Sequence, residues 1–268
     1  MQLISLDILR TLGLPNVRPI KPEHFLAHKD ELRAADWVLF PEYWQLNALA
    51  YGLKCRIFPS LPSYYIGHDK VEMTRAFQTV APDNVPLIRI AANGPLEREE
   101  IWDTFPHPFV AKNPKASMGE GVWLIESRSD WQRYCDQATV LYAQEYLPID
   151  RDLRIVIVGD QVVSAYWRHQ ADTGFYNNIS RGGRMVAGPV PDSAFQLALR
   201  VATTLGIDHA GFDIAMVGGH PYLLEFNRLF GNQGVDNGRL NTAILEYLRG
   251  HNQPDRPDPA GVHWPLAV

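Results

Sequence analysis

The chain has 268 residues, 46% of them hydrophobic and 21% charged, a composition that excludes intrinsic disorder and a collagen-like repeat. Its 25 basic and 30 acidic side chains leave a net charge of −5, which lacks the basic excess that nucleic-acid-binding proteins use against phosphates. Cys55 and Cys135 are too few for a disulfide framework, and no apolar run approaches the ~20 residues that cross a bilayer. We therefore expect a cytoplasmic protein without a membrane or nucleic-acid partner.

The first segment, residues 1–66, predicts one strand–helix–strand unit. Its elements are a buried strand at residues 37–40, a short helix at residues 45–53 and a second strand at residues 55–58. The prolines of residues 59–65 then interrupt regular structure, since proline removes a backbone donor and restricts its neighbour. The prediction is a reduced N-terminal α/β domain.

The second segment, residues 67–147, predicts a small α+β lobe. Its helix at residues 70–80 follows Asp69, whose carboxylate is suited to cap it. The later elements are strands at residues 108–112 and 121–125, a helix near residues 129–135 and a strand at residues 140–147. This arrangement favours an antiparallel sheet.

The third segment, residues 148–250, predicts a larger lobe with two hairpins. Its elements are strands at residues 154–158 and 161–167, a helix near residues 194–205, and strands at residues 211–217 and 222–227. Asp192 is the candidate cap of this helix and Gly206 its end. The proline-rich tail, residues 251–268, is expected to be extended.

The second hairpin is predicted to bring polar side chains together. With a three-residue loop after Val217, Asp213 lies opposite Glu225, and Asn227 shares their face because side chains alternate along a strand. Two carboxylates and a carboxamide are oxygen ligands suited to Mg²⁺. A two-residue loop would instead place Asp213 opposite Leu224, and carboxylates facing water are the alternative interpretation.

A candidate anion site follows Lys112, which ends a predicted strand. The next loop contains Ser117, Gly119 and Gly121, and its glycines would let backbone amides approach a phosphate closely. A simple hairpin turn is the alternative. The loop lacks the GxxxxGK[ST] sequence of a P-loop and the strand-to-helix context of a dinucleotide fingerprint.

Seven motifs occur in the order typical of one enzyme superfamily. They are HDKVEMTRAF (68–77), PFVAKNPKASMGEGV (108–122), QEYL (144–147), DLRIVIVGDQVVSAYWR (152–168), NISRGG (178–183), AGFDIA (210–215) and LLEFN (223–227). The chain thereby resembles the ATP-grasp superfamily, and within it the RimK-like, ribosomal-protein glutamate ligase type of carboxylate–amine ligase. The resemblance covers residues 37–250 and implies an ATP-grasp fold, in which two α+β lobes clamp ATP.

The resemblance implies how ATP and metal are bound. Two lysines would contact the phosphates, the glycine loop would close over them, the QEYL backbone would read adenine, and an aspartate would face ribose. These nucleotide contacts are Lys70, Lys112, Ser117, Gly119, Gly121, Gln144, Glu145, Tyr146, Leu147 and Asp152. Asp213, Glu225 and Asn227 would hold one or two Mg²⁺ ions, or Mn²⁺. From the residues alone, a solvated Lys70 and an ordinary strand end at residues 144–147 are the alternatives.

The resemblance also implies a reaction in which a carboxylate attacks ATP, gives an acyl phosphate and is captured by an amine as an amide or peptide bond. Arg168 would face the γ-phosphate, where fixed positive charge offsets the repulsion between two anions. Asn178 and Arg181 would border the reaction centre. Arg154 is either a substrate contact or a structural ion-pair residue.

Two departures from the family pattern concern the substrate. The N-terminal domain is short, and the small Ser-Pro-Gly stretch that usually follows the last metal ligand is replaced by Arg228, Leu229, Phe230 and Gly231. We expect Arg228 to recognise a substrate carboxylate. The expected partners are a small-molecule or peptide carboxylate and an amine, and the branch often forms homo-oligomers. An ATP-grasp kinase and a non-catalytic ATP-binding scaffold are the alternative functions.

Overall fold

Three β-sheets organise the part of the chain that the computed structural model describes, which comprises residues 1–115, 121–169, 184–186, 188–231 and 233–252. The first sheet is parallel, in the order β2-β1-β3-β4. Its elements are β1 (Leu3–Ser5), β2 (Val17–Pro19), α1 (Lys29–Ala34), β3 (Trp37–Leu39) and β4 (Ile57–Phe58). The sequence predicted β3 and β4, and the structure adds two strands on the other side of β3.

The second sheet is antiparallel, in the order β5-β8-β6-β7. Its segment contains α2 (Leu61–Ile66), α3 (Lys70–Val80), β5 (Ile88–Ala92), α4 (Pro95–Thr104), β6 (Phe109–Lys112), β7 (Val122–Ile125), α5 (Arg128–Cys135) and β8 (Val140–Glu145). Helices α4 and α5 cover one face, so the other is available for a site. The predicted cap of α3 is confirmed, because the Asp69 carboxylate accepts the Val71 N–H at 2.7 Å.

The third sheet has five antiparallel strands in the order β11-β10-β9-β12-β13. Its elements are β9 (Arg151–Val158), β10 (Gln161–His169), β11 (Arg184–Val186), α6 (Asp192–Leu205), β12 (His209–Val217), β13 (His220–Asn227) and α7 (Asn237–Gly250). Helices α3 and α6 pack on one face, and α7 covers part of the other. Gly206 ends α6 at a φ of 69°, as predicted. The predicted Asp192 cap is wrong, because α6 begins at Asp192 and Pro191 occupies the cap position.

The loop of the second hairpin has two residues, not the three predicted. Gly218 and Gly219 both adopt positive φ, as in a tight type I′ turn, so Val217 pairs with His220. A β-bulge between Asp213 and Ile214 then shifts the register by one residue. Asp213 therefore lies opposite Glu225 as expected, although for a different reason.

A buried carboxylate joins the first sheet to the third. Asp208 accepts the Ser60 N–H at 2.8 Å and the Ser63 hydroxyl at 3.1 Å, at the start of α2. Burial raises the pKa of Asp208 to about 6. The N-terminal residues are thus docked against the strand that carries Asp213. The division into residues 1–66, 67–147, 148–250 and 251–268 stays a prediction.

None of the helices in the described ranges combines the length and apolar character that a bilayer crossing requires.

Candidate active site

A stripe of charged side chains crosses one face of the third sheet. The strand register places Arg168 opposite Asp152, Arg154 opposite Asp213, and Asp213 opposite Glu225. Directly opposed residues share a face, so these five side chains run across β10, β9, β12 and β13. On β9, the stripe occupies the end that α7 leaves uncovered, since α7 packs on Val156 and Val158 further along the strand.

Two arginines bind Asp213. Arg154 Nε and Nη2 lie 2.6 and 3.2 Å from its carboxylate oxygens, and Arg168 Nη2 lies 3.0 Å away. Arg168 also forms a bidentate pair with Asp152, at 2.8 and 2.7 Å. All four residues are buried. Two cations and two anions therefore balance within this network, as a buried charge requires.

The network shifts the pKa values of its members. Burial acts to lower the pKa of Arg168, but the Asp213 and Asp152 carboxylates outweigh it and the net shift is upward. Burial raises the pKa of Asp152 against the opposing Arg168 guanidinium. Of the two interpretations of Arg154, the geometry favours the structural ion pair. Asp152 forms a bidentate pair with Arg168, and its contact with ribose stays a prediction.

The predicted metal ligands meet at the β12–β13 end of the stripe. The Asn227 amide lies 3.3 Å from Glu225 Oε1, and Lys70 Nζ lies 3.7 Å from Glu225 Oε2. A carboxylate offers about four acceptor positions, and the arginines use three at Asp213. One position at Asp213, the partly exposed Glu225 and the Asn227 carbonyl form an oxygen set that fits a hard divalent cation. The third predicted ligand is an amide, and in the described ranges no three His, Cys, Asp or Glu side chains form a metal cluster.

A second set of polar side chains lies on the small-lobe sheet. Val110 pairs with Gln144, so Lys112 shares a face with Gln144 and Tyr142. Lys112 and Gln144 are 8% and 5% exposed, and Lys112 Nζ lies 5.8 Å from the centre of the Tyr142 ring. The side-chain amide oxygen of Gln144, Oε1, has no hydrogen-bond partner among the described atoms. An orphaned acceptor beside a buried cation is suited to a ligand with both a donor and a negative charge.

Lys112 connects the two lobes electrostatically. Burial lowers the pKa of Lys112 to about 8, Glu225 and Asp213 oppose this shift, and Lys70 reinforces it. Lys112 on the small-lobe sheet and Lys70 at the start of α3 therefore face the carboxylates of the large-lobe sheet. An anion bound between them would restore the charge of Lys112.

The structure describes some of the other predicted site residues, and the rest lie outside the described ranges. Gly121 has a φ of 69°, and its carbonyl accepts the Asn113 N–H at 2.6 Å, which closes the base of the loop. Glu145 uses its backbone N–H and its side chain to bind Leu87, and the contact of residues 144–147 with adenine stays a prediction. The candidates outside the described residues are Ser117, Gly119, Asn178 and Arg181.

The structure places Arg10, which the sequence did not indicate, near the predicted substrate contact Arg228. Arg228 stacks on the Tyr64 ring at 4.4 Å, and burial lowers its pKa. Arg10 in the N-terminal domain further lowers the pKa of Arg228, so the two guanidinium groups lie near each other. No local pattern around Arg10 indicates this, because the two residues come from distant parts of the chain.

The second and third sheets, each antiparallel and packed against helices, form the two α+β lobes that define an ATP-grasp protein. The family model of the RimK-like ATP-grasp domain matches residues 75–246, so the chain belongs to the RimK-like ATP-grasp family. The probable alpha-L-glutamate ligase of Citrobacter koseri is 29% identical over 75% of this chain and 72% of its own length. The ribosomal protein bS6–L-glutamate ligase of Escherichia fergusonii is 30% identical over 68% of this chain and 64% of its own.

Solved structures agree on the fold. The D-alanine–D-alanine ligase from Bacillus anthracis superposes with a TM-score of 0.72 at 13% identity, over 94% of this chain and 97% of that one. Its complex with ATP gives a TM-score of 0.68 at 13% identity, over 94% and 99%. The relatives named above are glutamate ligases, so the kinase and scaffold alternatives are not favoured. The chain is an ATP-dependent ligase of the class that joins a carboxylate to an amine.

Proposed function

We propose that the ligase works through an acyl phosphate formed between the two lobes. A substrate carboxylate oxygen bonds to the γ-phosphorus of ATP as ADP leaves; the amine nitrogen then bonds to the acyl carbon as phosphate leaves and the nitrogen loses a proton. The observation that supports this proposal is that buried Lys112 faces the Asp213 and Glu225 carboxylates across the lobes. Such a cleft suits an anionic nucleotide on one side and its metal on the other.

The nucleotide is proposed to bind on the small-lobe side. Lys112 and Lys70 would bind the phosphates, and the adenine amino group would supply the donor that the Gln144 side-chain oxygen Oε1 lacks among the described atoms. Tyr146 and Leu147 would contact adenine through their backbone. The Gly119–Gly121 loop is proposed to close over the phosphates and exclude water, which would otherwise hydrolyse the acyl phosphate.

Asp213, Glu225 and Asn227 are proposed to hold one or two Mg²⁺ ions. A bound Mg²⁺ would offset the negative charge of the β- and γ-phosphates. Arg154 and Arg168 fix the Asp213 carboxylate in one orientation, which makes them positioning residues, and Arg168 adds positive charge near the reacting groups. The proposed role of Asn178 and Arg181 beside the reacting carboxylate rests on the resemblance.

The substrates are proposed to be an acid and an amine in which one partner is an amino acid or peptide. The names of the two relatives above place L-glutamate among the compounds to test first. We infer the cytoplasm as the compartment, because Cys55 and Cys135 carry free thiols whose pKa burial raises to about 11. A homo-oligomer stays an expectation.

The test is an ADP-release assay with Mg²⁺ over amino acids, short peptides and protein tails. Hydroxylamine is added in a parallel set, because it converts an acyl phosphate into a hydroxamate that mass spectrometry identifies. Amide product of mass acid plus amine minus water, and hydroxamate without the amine, are expected. A phosphorylated acceptor that neither hydroxylamine nor an amine converts would overturn the proposal.

The pKa of Lys112 predicts a pH dependence of nucleotide binding. A lysine is cationic below its pKa, so with a pKa of about 8 its charged fraction falls about tenfold between pH 7 and pH 9. ATP affinity, measured by calorimetry, is expected to fall by about the same factor. Lys112→Arg, which stays charged, is expected to remove this dependence.

Lys115 offers the matched control, because it is an exposed lysine in the segment that directly follows β6 and Lys112. Lys115→Arg is expected to keep the wild-type pH profile. An unchanged profile in Lys112→Arg would show that another group is responsible.

A further inference from the structure

Arg228 carries a positive charge that no described carboxylate of the site neutralises by direct contact. It directly follows Asn227, and its guanidinium lies flat on Tyr64 with 4.4 Å between the carbon centre and the ring. Within the part of the chain that the structure describes, no hydrogen-bond acceptor or carboxylate contacts this guanidinium. A guanidinium has five N–H donors, and since none of the described atoms accepts from those of Arg228, they can serve a ligand.

The residue is held in place from both ends. Its backbone carbonyl accepts a hydrogen bond from His209 Nδ1 at 2.7 Å, and burial lowers the pKa of His209 to about 3, so that ring is neutral. Tyr64 is fully buried and donates its hydroxyl to the Pro41 carbonyl at 2.5 Å. The stacking surface is therefore rigid, and little ordering remains when a ligand binds.

A second arginine reaches the same region from the N-terminal domain. Arg10 Nη1 lies 3.4 Å from the Phe230 carbonyl oxygen, two residues after Arg228. Its Nε lies 3.6 Å from the Asp7 carboxylate, a long and partly exposed ion pair. The two guanidinium groups therefore lie near each other, and Asp7 pairs with Arg10 rather than with Arg228.

We propose that Arg228 and Arg10 bind a substrate carboxylate other than the one that is activated. This inference rests on the proposed function and narrows it. The substrate class becomes an acid or amine that carries at least one further carboxylate, as an amino acid or a dicarboxylic acid does. The planar arginine edge matches the two oxygens of a carboxylate, and the anion would relieve the repulsion between the two cations.

The position explains why this carboxylate would not react. Asn227 closes the proposed metal set, and Arg228 lies one residue beyond it, at the junction with the N-terminal domain. An anion on Arg228 is therefore beside the charged stripe and not on it. A substrate held there by one carboxylate can direct its reacting group toward the stripe.

The first test measures binding without turnover. Glutarate and its dimethyl ester are titrated by calorimetry into the full chain with Mg²⁺ and a non-hydrolysable ATP analogue. Arg228→Ala and Arg10→Ala are each expected to weaken glutarate binding by about tenfold or more, whereas the ester binds no variant measurably. Arg33→Ala, which removes an exposed arginine on α1, is the matched control and is expected to bind like wild type.

Three outcomes would overturn the proposal: no glutarate binding by wild type, equal binding by Arg228→Ala, or equal binding of the ester. Inorganic phosphate is titrated in parallel, and Arg228-dependent phosphate binding without glutarate binding would also overturn it. Arg228→Gln serves as a second variant if the alanine variant loses thermal stability.

The second test uses turnover. With a substrate from the ADP-release screen, Arg228→Ala is expected to raise the KM for that substrate about tenfold and to leave the KM for ATP within about twofold. Equal rises in both KM values would overturn the assignment. If no acid supports ADP release, the proposed function fails, while the glutarate titration still decides whether Arg228 binds a carboxylate.

Discussion

Asp213→Asn is expected to lower the free energy of unfolding by about 3–5 kcal/mol, the usual effect of removing one partner from a buried ion pair. Asp213 is 3% exposed and neutralises Arg154 at 2.6 Å and Arg168 at 3.0 Å. The asparagine keeps the shape but removes the charge, so two buried cations share the single carboxylate of Asp152. Urea denaturation followed by circular dichroism measures the loss.

A double-mutant cycle separates the charge from the shape. Arg154→Met combined with Asp213→Asn removes one charge of each sign, and Arg168 keeps its bidentate pair with Asp152. The double variant is therefore expected to lose clearly less stability than the sum of the two single variants. Asp30→Asn, at an exposed pair with Arg33, is the matched control and is expected to change stability little. Simple additivity in the cycle would contradict the ion-pair explanation.

The same network explains why the site could be predicted only in part. The polar residues of β12 and β13 stand out because each interrupts an apolar strand. Their opposition across the hairpin depends on a two-residue loop and a bulge at Asp213, and these two features cancel in the register. Strict alternation along both strands with a three-residue loop and no bulge gives the same Asp213–Glu225 pair, although the turn and the strand are different.

The fold shows the same division between local and distant information. Helix α3 is a run of 11 consecutive residues, and its cap is a hydrogen bond between Asp69 and Val71, so both depend on local sequence alone. Strand β2 has no buried residue and ends in a proline, so no apolar run indicates it, and it is a strand because it pairs in parallel with β1. Arg10 and Arg228 meet through the docking of the N-terminal domain. Such contacts depend on the tertiary fold, which local patterns do not encode.

Glu225→Gln is expected to lower turnover by about 10²–10³-fold while the fold remains intact. Glu225 is partly exposed whereas Asp213 is buried, and its ion pair with Lys70 is long, at 3.7 Å. The glutamine keeps the size and one oxygen, but it removes the charge that would attract Mg²⁺. Steady-state ADP release over a range of Mg²⁺ concentrations measures this effect, and half-saturation is expected to need about 10–100 times more Mg²⁺.

The contrast with Asp213 makes this result specific. Glu225 lies outside the Arg154–Asp213–Arg168–Asp152 network, and the buried cation that it does offset, Lys112, has a pKa lowered to about 8 and can lose its proton, so the denaturation midpoint is expected to stay near wild type. Glu126→Gln, which changes an exposed glutamate after β7, is the matched control and should alter neither turnover nor Mg²⁺ dependence. Wild-type Mg²⁺ dependence in Glu225→Gln would place the metal elsewhere. A large loss of stability would instead mean that Glu225 belongs to the buried network, and the separation between an orienting network and an exposed metal-facing carboxylate would then be wrong.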